Sequence, residues 1–314
     1  MKNKKNYTKK NNKKSSKKSN KKGNKKSNKK SNKKGNKFKQ LQCAAQKSKK
    51  NTCYNDDNLI KMRDLWNLRH PEKKIKTNNT NNIWKNLKKN MNNSCNNEKC
   101  WLNQEFMKNN INNELTNDTF APSSPSSWKM NPNEWLSNFD ISKVMKQYEK
   151  FYKNFVFIGP SPIDFNKRIY QDKCVWNDLC NFNLKDYINN GKKYIGIIFN
   201  TDPHNKSGSH WISLYINLEK KYIFFFDSNG DNVPKEIVEL INRIKTQGKE
   251  INIELEYDNN EGIEHQLKNT ECGIYSIYFI TSLLTGIRSP LYFKKNIIRD
   301  PVMEKYRKIF FNDI

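Results

Sequence analysis

The sequence predicts an α+β fold built in three parts, and three observations predict it. A lysine–asparagine repeat fills most of the first 40 residues. Apolar residues recur at helical spacing between residues 41 and 125. After the Pro122-Ser123-Ser124-Pro125-Ser126-Ser127 punctuation, short β-branched and aromatic runs mix with amphipathic stretches. The expected parts are a disordered basic tail (1–40), a mainly helical arm (41–125) and a core (126–314).

The first 39 residues carry 19 lysines and no acid, and from Lys17 the unit Lys-Lys-Ser/Gly-Asn repeats five times to Asn36. Such a segment cannot bury enough apolar surface to offset chain entropy, so disorder is expected. It reads either as a tether to nucleic acid or another polyanion, or a nuclear-import signal, or as a solvated tail in a Lys- and Asn-biased chain. Without it, 40 basic residues face 31 acidic ones, so the whole-chain charge of +28 falls to a mild +9. The remaining length suffices for a sizeable core.

In the arm, the spacing predicts a helix over Asp56–His70, capped by Asp56 or Asp57 and ended by Pro71. A second is expected over Thr80–Met91 and a third from Cys100-Trp101-Leu102 toward Leu115. In the core, helices are expected over Trp135–Tyr152, Cys174–Ile188, Pro234–Lys245 and Cys272–Leu284. Tyr194–Asn200, Trp211–Asn217 and Tyr222–Asp227 read as strands, the last two joined as a hairpin by the turn-like Leu218-Glu219-Lys220-Lys221. Ile251–Tyr257 alternates as a half-buried strand.

No apolar run approaches the roughly 18 residues of a membrane span, and no signal-peptide h-region follows the basic N-terminus. Seven cysteines, an odd number at irregular spacings, suggest reduced thiols rather than a disulfide framework, hence an intracellular, non-secreted protein. Cys95–Cys100 and Cys174–Cys180 lack zinc-ligand spacing and a nearby histidine, so no metal is expected.

The chemistry concentrates between Gly208 and Ile274. Cys272 begins an apolar helix, whose N-terminal partial charge and free N–H groups favour thiolate over thiol. The alternative is a small buried structural cysteine. Gly273 leaves room for a substrate backbone. His210 stands at the mouth of one hairpin strand and Asp227 at the far end of the next. Antiparallel pairing places those positions side by side, so Asp227 can fix the imidazole tautomer; the plainer reading makes Asp227-Ser228 a turn opener. Gln266, six residues before Cys272, can donate its amide to an oxyanion. His204 sits in the loop before His210, and His265 is expected to be exposed.

His210-Trp211, Phe226-Asp227-Ser228 and Gln266 before Glu271-Cys272-Gly273 resemble the superfamily of adenovirus protease and the SUMO-specific proteases. The order His, Asp, Gln, Cys differs from papain, where Cys comes first. Phe155–Asp164, Gly196–Trp211 and Cys100-Trp101-Leu102 are similar to the polyprotein-processing cysteine proteases of large nucleocytoplasmic DNA viruses, such as African swine fever virus. The resemblance implies a papain-like core of the adenain/SUMO-protease type, a central mixed sheet flanked by helices, preceded by a helical arm. It also implies nucleophile Cys272, base His210, orienting Asp227, oxyanion donor Gln266, and Trp211 beside the substrate. Trp135, in Trp135-Leu136, would supply the second wall of a narrow substrate tunnel; otherwise it is a core aromatic on an amphipathic helix.

The expected function is a thiol endopeptidase that needs no cofactor. It would cleave viral structural polyproteins at Gly-Gly-Xaa or Gly-Ala-Xaa sites during virion maturation, in the virion and the host cytoplasm. The alternatives are a protease that removes SUMO-like modifiers, and a non-enzymatic nucleic-acid-binding virion protein acting through residues 1–40.

Overall fold

Five strands form one mixed sheet in the order β1 to β5: β1 (Phe155–Pro162), β2 (Tyr194–Asn200), β3 (Trp211–Asn217), β4 (Tyr222–Phe226) and β5 (Glu256–Asn259). The outer pairs β1–β2 and β4–β5 are parallel, and β2–β3 and β3–β4 antiparallel. This computed structural model describes residues 37–45, 51–108, 110, 115 and 118–313. The tail expectation for 1–40 therefore lies, but for residues 37–40, outside the described residues. The described residues belong to one unit, Lys37–Ile314.

Side-chain alternation along the strands divides the core in two. Phe155, Phe157, Ile198, Tyr215, Phe224 and Phe226 face one helical layer, whereas Ile195, Ile197, Phe199, Ile212, Leu214 and Phe225 face the other. The first layer holds α5 (Asn138–Phe151), α9 (Cys272–Leu284), α10 (Pro290–Lys295) and α11 (Asp300–Phe310). The second holds α6 (Asn177–Cys180), α7 (Leu184–Asn189) and α8 (Lys235–Glu250). Every residue of α9 is buried. Each large apolar side chain it removes from water is worth about 1.5–3 kcal/mol. Gly196 permits the close approach of α9 to the sheet, since a Cβ there would lie 2.7 Å from the Ile280 side chain.

Residues 41–125 carry α1 (Asp56–Arg69), α2 (Thr80–Met91), α3 (Glu98–Leu102) and α4 (Glu105–Lys108). Their apolar cluster, from Leu41 to Phe120, includes the fully buried Met62, Ile83 and Trp101. The segment after α11 is tied to residues 41–125: Asn312 accepts from the Gln42 N–H at 2.7 Å and donates to Gln42 O and Ala121 O.

Several expected elements are corrected. The helix expected from Trp135 starts at Asn138, because Ser137 and Asp140 form a capping box that leaves Trp135 and Leu136 outside it. Cys174–Ile188 breaks into α6 and α7, with Asn183 capping the second. The strand expected from Ile251 begins only at Glu256, after a positive-φ turn at Asn252. The α1 cap is Asn55, not Asp56 or Asp57. β1 was not expected as a strand. Disulfides join Cys43–Cys53, Cys95–Cys100 and Cys174–Cys180, leaving Cys272 free, so the expectation of reduced thiols fails for six of the seven. Local folding brings each pair of Cα atoms to 5.2–6.2 Å, which irregular spacing in the sequence cannot show. No described helix is long and apolar enough to cross a membrane.

Candidate active site

The β3–β4 hairpin assembles the first pair. Ser213 pairs with Phe226, so the residues just before β3 meet those just after β4. Thr201 N–H donates to His210 O, fixing the His210 backbone against the end of β2. His210 Nε2 lies 2.6 Å from Asp227 Oδ1. Asn260, fully buried, locks the Asp227 backbone by accepting its N–H at 2.9 Å and donating to its carbonyl at 2.6 Å. The Asn229 N–H also donates to Asp227 Oδ1.

With Nε2 committed to Asp227, Nδ1 is the ring nitrogen left for a second partner. Cys272, the first residue of α9, lies close enough to the His210 ring to raise its pKa. Burial pulls the His210 pKa down, but hydrogen bonds to Asp227 and Cys272 and their charges outweigh it and raise it to about 10. The imidazolium is therefore strongly favoured. Cys272 is itself buried, at the positive end of a 13-residue helix whose first N–H groups lack intrahelical acceptors.

Asp227-Ser228 does more than open a turn. Ser228 O accepts from the N–H groups of His265 and Gln266, and Ser228 Oγ donates to Gln266 Oε1 at 2.8 Å. The hairpin end that orients the histidine thus also fixes the glutamine amide. One Gln266 N–H bonds Lys268 O, and the amide has a second to offer. His265 corrects expectation: it is fully buried, its ring lies tilted 5.2 Å from that of Phe226, and Nδ1 accepts from the Ile298 N–H. Burial lowers its pKa to about 4, so it is neutral.

Trp211 follows His210, and its Nε1 donates to Leu136 O at 3.0 Å. Leu136 packs on Gly273, where a Cβ would approach it to 3.0 Å. Trp135, 42% exposed, and Trp211 line an open cleft of ≈ 620 Å³ together with Trp176 and Pro160. His204 borders the same cleft, held by Asp164 at 2.7 Å; this second His–Asp pair carried no signal in the sequence. His210, Asp227 and Gln266 are joined through Ser228 and the hairpin end, while Trp135 and Trp211 line the adjoining cleft. Among the described residues, no cluster could hold a metal ion.

A free thiol at a buried helix start, facing an imidazole that a carboxylate orients, can generate a nucleophile and return a proton to a leaving group. On this fold that chemistry defines the class of cysteine proteases. The sequence profile of the Ulp1 protease family, C-terminal catalytic domain, matches residues 132–314, more than half of the chain, and the chain belongs to that family.

It is 27% identical over 262 residues to a protein of Acanthamoeba polyphaga mimivirus assigned as a thiol protease, covering 78% of this chain and 84% of the other. It is 26% identical over 190 residues to the SUMO-1 cysteine protease of African swine fever virus, covering 56% of this chain and 67% of that one. The crystal structure of the African swine fever virus protease shares the fold. Its TM-score is 0.63 at 20% identity, over 87% of this chain and 96% of that one. The expected α+β papain-like core is thereby borne out, and family membership sets aside the non-enzymatic reading.

Proposed function

We propose that Cys272 is the nucleophile of a thiol endopeptidase that processes viral structural polyproteins during particle maturation. His210 holds the thiol proton as an imidazolium, and the Cys272 thiolate attacks the peptide carbonyl. The tetrahedral oxyanion lies between the free Gln266 N–H and the unpaired N–H groups at the start of α9. His210 returns its proton to the leaving amine, and water hydrolyses the thioester. Asp227 holds the ring throughout.

The observation that carries this reading is one imidazole hydrogen-bonded to Asp227, with the free thiol of Cys272 close enough to raise its pKa. The viral origin of the relatives supports the biological setting, in the virion and the host cytoplasm. Trp135 and Trp211 as cleft walls, with Leu136 pressed onto Gly273, support small residues before the scissile bond. Residues 1–40 are proposed to bind nucleic acid or another polyanion. No cofactor takes part in these steps.

The name of the African swine fever virus relative favours a second reading, removal of a SUMO-like modifier. Cleavage of Gly-Gly-Xaa and Gly-Ala-Xaa peptides, measured beside a SUMO precursor, separates the two. Efficient peptide cleavage with an inert precursor supports polyprotein processing, and the reverse supports deconjugation.

A further inference from the structure

Arg307 on α11 is buried, only 4% exposed, and all its donors converge near the active site without touching the reacting groups. Its Nε donates to Glu271 Oε2 at 3.1 Å and its Nη2 to Glu271 Oε1 at 3.0 Å. Glu271 is fully buried and immediately precedes Cys272. Nη2 also reaches Thr270 O at 3.4 Å. On its other side, Nη1 donates to Glu134 O at 2.8 Å, and the guanidinium lies 4.3 Å above the Trp128 ring.

Glu134 begins the Glu134-Trp135-Leu136 strap on the cleft wall, whose other end is held by the Trp211 Nε1 bond to Leu136 O. One side chain from the C-terminal helix therefore fastens both the segment entering Cys272 and the segment carrying Trp135.

We infer that Arg307 is a positioning residue: with Glu271 it fixes the Trp135–Leu136 strap relative to the start of α9, and so the wall of the cleft along which a substrate backbone must lie. The inference rests on the proposed role of Cys272 as nucleophile. Only a planar fork can serve Glu271 and Glu134 at once; lysine keeps the charge but lacks the fork. Removing either charge outright would strand the other in the interior, so conservative variants are the informative ones. A loosened strap leaves the thiol and its imidazole intact but misplaces the peptide, and a displacement of about 1 Å costs up to about a hundredfold in rate.

The test compares the full chain with Arg307→Lys and Glu271→Asp in two assays: peptide kcat and KM, and the rate of Cys272 alkylation by iodoacetamide, which is too small to need the strap. The expected result is a fall in kcat/KM of about ten- to a hundredfold, with raised KM, while alkylation stays within about threefold of wild type. Parallel loss in both assays, no change in either, or failure of both variants to give native near-UV circular dichroism would overturn the inference. Wild-type chain that cleaves no peptide and is not alkylated at Cys272 would instead remove the underlying functional reading.

Discussion

His210 and Asp227 meet at 2.6 Å across the mouth of the β3–β4 hairpin, 17 residues apart in sequence. Continuing the register that sets Ser213 opposite Phe226 places Asp227 opposite Ile212, so His210, two residues earlier on the same face, is its diagonal neighbour. The carboxylate holds the ring at Nε2. It can steer the imidazole without joining the reaction.

That placement grades the triad variants. Cys272→Ser and His210→Ala should each lower peptide kcat by at least about a thousandfold with the fold retained. Asp227→Ala should be about one to two orders of magnitude less damaging, because it removes orientation rather than chemistry. Steady-state kinetics on one peptide check the ranking, and near-wild-type turnover in either of the first two would end the assignment.

Gln266 and Ser228 should act as a donor and its holder. Gln266→Ala should cost about a hundred- to a thousandfold in kcat, the usual loss for an oxyanion donor. Ser228→Ala removes only the bond that orients the amide, worth about 0.5–1.5 kcal/mol, and so should cost up to about tenfold in kcat with KM little changed. A Ser228→Ala loss as large as that of Gln266→Ala would contradict the division of labour.

The charge on His210 should appear in stability. Its folded pKa of about 10 lies above the ordinary 6.5, so the folded state holds the proton more tightly than the unfolded chain. The resulting stabilisation is complete below about pH 6.5 and is lost as pH rises toward 10. Urea unfolding of wild type and His210→Gln across that range should show the wild-type advantage shrinking with pH. An advantage that grows would reverse the assigned interaction.

The basic tail should bind duplex DNA through phosphate neutralisation. Affinity of the full chain should fall steeply with salt, and a chain lacking residues 1–39 should bind far more weakly. Fluorescence anisotropy at several salt concentrations checks this; equal binding by both chains would discard the tether.

The legible parts of the site were those set by short-range rules. Trp211–Asn217 and Tyr222–Phe226 are consecutive, aromatic and β-branched strands, so their pairing and the His210–Asp227 contact could be read from sequence. The apolar run of α9 placed Cys272 at a helix start. What escaped depends on contacts distant in sequence. Arg307 finds Glu271 across 36 residues, and nothing in α11 marks it. The burial of His265 is decided by Ile298 and Phe226, neither in its own loop. The disulfide partners depend on loop paths that no spacing rule supplied. The capping box at Ser137 was visible, and the stronger apolar periodicity beyond Trp135 concealed it.

Covalent trapping tests the pairing of this sulfur with this imidazole most directly. A peptide ending in a thiol-reactive vinyl sulfone after Gly-Gly is incubated with wild type and with His210→Ala, and the adduct is mapped by mass spectrometry. The prediction is one adduct, on residue 272, formed rapidly by wild type and scarcely at all by the variant. Equal labelling of both proteins, or modification only at another cysteine, would contradict the account.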